Sequence, residues 1–480
     1  MGLTGLLPLI SQIPVYRNVL ESINSNERVD LSVIEHAKPY LLGALWRDIK
    51  KPMLVICSRP DEAHKLFDQI IGYFDQDAPI HHFPEVELLP YERLTTDSGT
   101  VQDRLTVLGS IRGLFKTKTP LVIASSIALM QRTVSPDLMD KISHTIQSGE
   151  KILLEATVKK WLQMGYQIQP VVESPGDISR RGGILDIFPT GEAMPVRVEL
   201  WGDQIETIRR FDPLTQRSGQ EIESVLILPA KEILPSFIDQ GVIAQKIQAL
   251  DFPQKASLDI DQIKMDLAGL AEGGSLEQPQ FYSGFFNHHT LIDYLVECPD
   301  AVLVLNEESE IHEFAGKWVE SSANLRDSKQ RRGEIPSGFP DPFADWGALF
   351  PYLENSSPRV KISRWHAGPE DTSLLMPFAE ASSYHGNLEA MKKDIKIRPA
   401  TPIVIASQHS KRVQKIFSEA DIGASEMSSL NTPPANTSVS VVHTSLSGGW
   451  QLSVDSKERS DILVTLLSDE EIFGNFKRRN

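Results

Sequence analysis

A chain of 480 residues, at roughly 100 to 200 residues per domain, has room for three or four domains that each bury a core. Its 48 Lys and Arg against 64 Asp and Glu leave a net charge of −16, the wrong balance for a protein whose main task is wrapping duplex DNA. Two cysteines, Cys57 and Cys298, argue against a disulfide framework, and no apolar run approaches the roughly 20 residues that span a bilayer. The first ten residues lack a basic start and contain Pro8, which makes a poor signal peptide, so a cytoplasmic address is expected.

Residues 1–28 carry helical spacing at Ile10, Ile13, Val19 and Ile23, interrupted at Pro14, and read as an N-terminal helical appendage. Met53–Cys57 is a continuous apolar run of the kind buried in a parallel sheet, and Ser58-Arg-Pro-Asp61 starts a helix after it. Leu121–Ser125 repeats the arrangement. The alternation predicts a doubly wound α/β layer, with residues 29–148 as its first half.

Between 149 and 230 the pattern changes to short strands and turns. Ile184–Phe188 and Val196–Leu200 flank a turn of Pro189, Thr190 and Gly191, and Trp201-Gly202-Asp203 makes a second turn. Ile205, Ile208 and Phe211 are spaced to bury one side of the next segment while Arg209 and Arg210 reach solvent on one face, with Glu206 and Asp212 as nearby partners. Two glycines after Arg181 permit backbone geometries closed to other residues and are expected to present Arg180 and Arg181 at a strand edge. Residues 157–218 balance eight cations with eight carboxylates, so the rest of the chain carries the whole −16. Such an Arg-rich island suits an acidic protein partner. The same arginines also suit a merely solvated sheet face, and the residue pattern leaves both readings open.

After a return segment at Val225–Pro229, Ala244–Leu270 reads as helical with a break at Pro253. The sheet pattern resumes at Ala301–Leu305, which makes the first α/β domain discontinuous, with residues 231–375 as its second half. Residues 322–345, rich in Arg, Gly, Pro and Asp, are predicted to form a long loop. A second, small α/β domain covers 384–472, from the strand in Pro402–Ala406 to that in Ile462–Leu466, with Asn431–Thr437 as an internal loop. Residues 473–480 open a basic linker.

The search for catalytic groups is mostly negative. ATP hydrolysis on such a sheet needs Gly-x4-Gly-Lys-Ser/Thr to wrap phosphates, and the only Gly-Lys pair, Gly316-Lys317, lacks that context. Where a phosphate loop would stand the chain has Glu35-His36-Ala37-Lys38-Pro39-Tyr40, with Lys38 expected as a surface lysine at a helix start. Where a metal-ordering Asp-Glu would follow an apolar strand it has Asn306-Glu307. Lys38 and Glu307 are thus vestiges of a nucleotide site at most. The pairs His81-His82 and His288-His289 read as exposed loop residues, and Asp259, Asp261 and Asp266 as a solvated helix face. No cofactor and no metal are expected.

Arg181-Gly-Gly-Ile-Leu-Asp-Ile-Phe-Pro, then Arg197-Val-Glu-Leu-Trp-Gly-Asp-Gln-Ile-Glu-Thr-Ile-Arg and Phe211-Asp-Pro-Leu-Thr-Gln-Arg-Ser, resemble the UvrA-binding domain shared by UvrB and the bacterial transcription-repair coupling factors. Phe83-Pro-Glu-Val-Glu-Leu-Leu-Pro-Tyr-Glu, Arg104-Leu-Thr-Val-Leu and Leu121–Arg132 are similar to the first domain of the coupling factors, and Asp461–Gly474 with Lys477-Arg-Arg to the segment before their polymerase-binding domain. The resemblance implies a degenerate helicase-like, RecA-like α/β domain interrupted by a small antiparallel UvrA-binding domain and followed by a second small α/β domain. It implies a monomeric adaptor that is not itself an enzyme and that recruits UvrA to lesion-stalled transcription complexes. RNA polymerase, DNA, ATP and Mg would then belong to polymerase-interaction and translocase domains that have no counterpart here. Arg181, in the Arg-Gly position of the shared motif, is the first contact candidate, followed by Arg180 and Phe188, with Arg209 and Arg210 beside them. Gln167 stands near where the family often supplies a basic contact. Phe188 as a core residue is the alternative to Phe188 as a contact. The rival functions are an ATP-dependent DNA helicase or translocase, or a UvrB-like factor with residual nucleotide or DNA binding.

Overall fold

The computed structural model describes residues 2–86, 90–94, 97–115, 119–253, 257–271, 276, 278–365, 372–397, 401–436, 438–456 and 459–474. Seven parallel strands form the first sheet, in the order Leu374–Leu375, Arg28–Ser32, Arg359–Ser363, Val302–Asn306, Met53–Cys57, Leu121–Ser125, Ile80–Phe83. Strands from before and after the β-rich insertion lie side by side, Val302–Asn306 directly against Met53–Cys57. The central strands are buried on both faces because helices cover each: Val55 points into one core and Ile56 into the other.

The insertion is joined to this body by a short antiparallel ribbon, His144–Gln147 paired with Ser224–Ile227. Beyond it stands a six-stranded sheet in the order Ser218–Glu221, Gln204–Phe211, Val196–Trp201, Ile184–Ile187, Asp177–Arg181, Gln167–Ile168, antiparallel except for the last pair. A buried ion pair ties the return segment to the body. Arg104 donates to Glu232 at 2.9 Å, both side chains are fully buried, and Thr133 also donates to that carboxylate at 2.7 Å. The last sheet is mixed, in the order Phe378–Glu380, Trp450–Ser456, Arg459–Ser468, Ile403–Ser407, Val439–His443, Ala424–Met427. Its first strand lies ahead of the expected start at 384, because Phe378 packs in the core against Trp450.

Several sequence expectations are corrected. Residues 322–332 are not loop: they complete a helix over Glu308–Arg332. Charged side chains do not break a helix. Gly333 does, taking φ +70° just after the basic last turn of Lys329, Arg331 and Arg332. Residues 1–28 are not an appendage. Leu3, Leu6, Leu7 and Ile10 are buried, and Gly5 donates its N–H to Leu430 O at 2.6 Å, so this segment wedges between the first and last domains. Asp266 is not solvated but ion-paired with Arg93, and it accepts from Tyr282 Oη at 2.6 Å. His81 and His82 sit half-buried on a strand, where burial lowers the pKa of both, His82 to about 4. Lys477 and the rest of the expected linker beyond residue 474 lie outside the described residues.

Candidate UvrA-docking face and the closed cradle

The docking sheet has two unlike faces. Ile178, Leu185, Ile187, Val196, Val198, Ile205 and Ile208 are buried on the inner one. Alternation along the strands then sends Arg181, Ile184, Glu199 and Thr207 outward as one cross-strand row, since Arg181 pairs with Ile184, Ile184 with Glu199 and Glu199 with Thr207. The neighbouring row reads Ser179, Asp186, Arg197, Arg209, Glu221.

These rows differ in what their charges meet. In the second, Arg197 forks onto Asp186 at 2.8 and 2.9 Å while stacking over Phe211, and Arg209 meets Glu221 at 3.2 Å. In the first, Arg181 is exposed and, among the described residues, donates only to the carbonyl of Pro170, at 2.6 Å. Its place depends on the hairpin Arg181-Gly182-Gly183-Ile184. Gly182 adopts φ +61°, and a Cβ on Gly183 would stand 3.0 Å from Leu200 O. Ile184 is 37% exposed, and Trp201, two residues along the strand from Glu199, is 80% exposed. An unpaired Arg beside an exposed Trp and Ile is the composition of a binding hot spot.

Other candidate residues lie elsewhere. Arg180 does not share a strand edge with Arg181: successive residues alternate, so it points to the opposite face and meets Glu155 at 2.5 Å. Arg209 and Arg210 likewise point to opposite faces, and Arg210 pairs with Glu192 at 3.0 Å. Their partners are thus Glu221 and Glu192 rather than Glu206 and Asp212. Phe188 is buried at 6% exposure in a small cluster with Val172 and Phe211, so the core alternative holds and the ring is withdrawn from the surface. Gln167 is exposed but opposes Asp177, four residues from Arg181 and about 13 Å along the strand. Ile184 and Trp201 were missed as site residues. Period-two alternation counted outward from Val196 and Val198 carries the signal for Trp201.

Lys38 and Glu307 come together, and in doing so they close the other candidate site. Lys38 is not a surface residue. At the first turn of its helix it is 1% exposed and donates to Glu307 at 2.6 Å and Glu35 at 2.7 Å. Glu307 also accepts from the backbone N–H of Arg364 at 2.8 Å. Arg59, Asn306 and Arg364 help line the surrounding hollow of about 280 Å³. The neighbouring Cys57 thiol is pushed up to about 12 by burial, which suits it to packing and not to nucleophilic work. Among the described residues there is no group of three His, Cys, Asp or Glu placed to hold a metal ion, and no helix is long and apolar enough to cross a membrane.

Residues 145–233 match the family described as the UvrB interaction domain. Over 462 residues the chain is 25% identical to the transcription-repair-coupling factor of Bacillus subtilis, covering 92% of this chain and 38% of that protein. Its counterpart in Myxococcus xanthus is 26% identical over 60% of this chain and 25% of its own length. The Staphylococcus haemolyticus protein of the same name is 29% identical over 58% and 24%. The chain therefore spans between about a quarter and two fifths of the length of these three relatives. It is a relative of the transcription-repair-coupling factors, Mfd, corresponding to their N-terminal UvrB-homology module and carrying a UvrB interaction domain at residues 145–233.

Proposed function

We propose that the chain is a non-catalytic adaptor of transcription-coupled nucleotide excision repair, which binds UvrA and brings it to lesion-stalled RNA polymerase. The observation that carries this reading is the outward row of Arg181 and Ile184, with Trp201 beside it, on a domain of the UvrB interaction family. Arg181 exchanges one neutral carbonyl for a carboxylate of the partner, a stronger charge-assisted bond, while Ile184 and Trp201 exclude water around it.

In this reading polymerase and DNA translocation belong to parts of the relatives that this chain does not span. The α/β body serves as architecture without ATP or Mg, because the positive charge of Lys38 is already taken by Glu35 and Glu307. The chain works as a monomer with the docking face open.

Interferometry with purified UvrA tests the reading. Binding at micromolar concentration without nucleotide, weakened at least about tenfold by Arg181→Ala, is expected. Wild-type protein that ignores UvrA sinks the docking role, and ATP turnover abolished by Lys38→Ala sinks the non-catalytic one.

A further inference from the structure

Outside the docking domain, the last domain holds a second surface, of different chemistry. Its helices Leu388–Ile397 and Ser410–Glu419 cover one face of the mixed sheet, with Met391, Val413 and Phe417 packed on Ile405 and Val441. On their outer sides Lys393, Lys396, Lys411, Arg412 and Lys415 are exposed, and none meets a carboxylate among the described residues. A sixth cation, Lys392, reaches Asp421 at 3.7 Å, which sets the first helix beside the end of the second.

This is an unusual concentration in a chain of net charge −16, where arginines such as Arg180, Arg210 and Arg326 have acidic partners. Lys411 and Lys415 are four residues apart, and both Arg412–Lys415 and Lys393–Lys396 are three apart. Like charges at those spacings repel and weaken a helix. The surface also opens into a hollow of about 710 Å³, lined by His409, Lys411, Arg412 and His443 at the carboxyl ends of three parallel strands. Glu426 lines the hollow as well, and its carboxylate accepts from Ser410 Oγ at 2.9 Å.

We propose that this surface binds the phosphate backbone of duplex DNA without regard to sequence, independently of the UvrA face. Extent argues for a polymer over a small anion. The second helix alone is about 15 Å long, a distance over which a duplex presents about nine phosphate charges. Residue type argues for phosphate over protein carboxylates: four of the five free cations are lysines, compact point charges, whereas the UvrA face uses the planar fork of arginine. A single strand is disfavoured because Phe417, the one aromatic residue of the two helices, is buried and leaves no stacking platform.

The test is fluorescence anisotropy of the whole chain with a fluorescein-labelled duplex, from about 50 to 200 mM salt. The comparison variants are Lys411→Glu/Arg412→Glu/Lys415→Glu, Lys393→Glu/Lys396→Glu and Arg181→Ala. Expected is affinity that falls linearly with the logarithm of salt, lost at least about tenfold in the triple variant with a slope shallower by about three, and unchanged in Arg181→Ala. Urea unfolding of each variant, expected to match wild type because every changed residue is exposed, separates lost binding from lost folding. A flat titration at low salt, or a triple variant that binds as wild type does, overturns the proposal. Tighter binding of poly-glutamate than of the duplex overturns it in favour of an acidic protein partner.

Discussion

Lys38 and Arg181 both stand at the end of a regular element, yet one closes a site and the other opens one. Lys38 sits under two carboxylates and 1% exposed, so its charge is committed to the fold. Arg181 faces solvent with a single bond to a neutral carbonyl, so its charge is available. A basic residue in a motif therefore says little about function until its tertiary neighbours are known. Removing one member of a buried pair strands the other, whereas an exposed group can trade water and one weak acceptor for a partner.

The comparison is sharpest if the two sites fail in different ways. Lys38→Ala takes from Glu307, 14% exposed, its lysine and leaves it the N–H of Arg364, and is expected to destabilise the body by about 3 kcal/mol, read as a lower urea midpoint, with UvrA affinity of the folded fraction intact. A midpoint like that of wild type would mean the cradle is not closed. Phe188→Ala empties the small cluster with Val172 and Phe211 and is expected to cost about 3 kcal/mol. If it abolished UvrA binding at unchanged stability, the ring would be a contact after all.

Trp201→Ala is expected to do the converse: calorimetric melting unchanged, UvrA affinity down by a factor of about 10 to 30. Gly182→Ala forces a Cβ into φ +61° and is expected to cost about 1 kcal/mol, with a smaller loss of affinity as the hairpin shifts Arg181. Acid acts on the body and on neither site. His82 titrates near 4 when folded, against 6.5 when unfolded, so the unfolded chain takes the proton first. Stability is full above pH 6.5 and declines as pH falls from there toward 4. Replacement by Gln, followed by urea melts across that range, should flatten the decline; an unaltered slope would assign it to other groups.

What could be read from the chain in advance follows the range of the interactions. The strands Ile184–Ile187 and Val196–Trp201 were legible from the spacing within each, whereas the twin glycines signalled only backbone freedom and not the hairpin that pairs Arg181 with Ile184. Lys38 meets Glu307 across 269 positions, and Phe188 meets Phe211 across a sheet. No local pattern encodes either. The helix over residues 322–332 was misread through composition, since Arg, Asp and Ser beside Gly and Pro look like loop although the breaker comes only at Gly333. Arg180 and Arg181 were misplaced on one edge although alternation alone separates their side chains.

The ribbon of His144–Gln147 and Ser224–Ile227 makes the docking domain an excursion that leaves the body's chain and returns to it at one place. The chain enters and leaves through four opposed residue pairs, so the two ends lie about one strand spacing apart, near 4.8 Å. A short turn placed there would rejoin the body's chain if the domain were removed, but it would also expose the apolar cluster that the two share. Mechanical load applied to a captured partner would then be shared by that ribbon, by the Arg104–Glu232 pair at its base and by the apolar cluster in which Leu185 and Val198 of the docking sheet join Leu105 and Leu108 of the body.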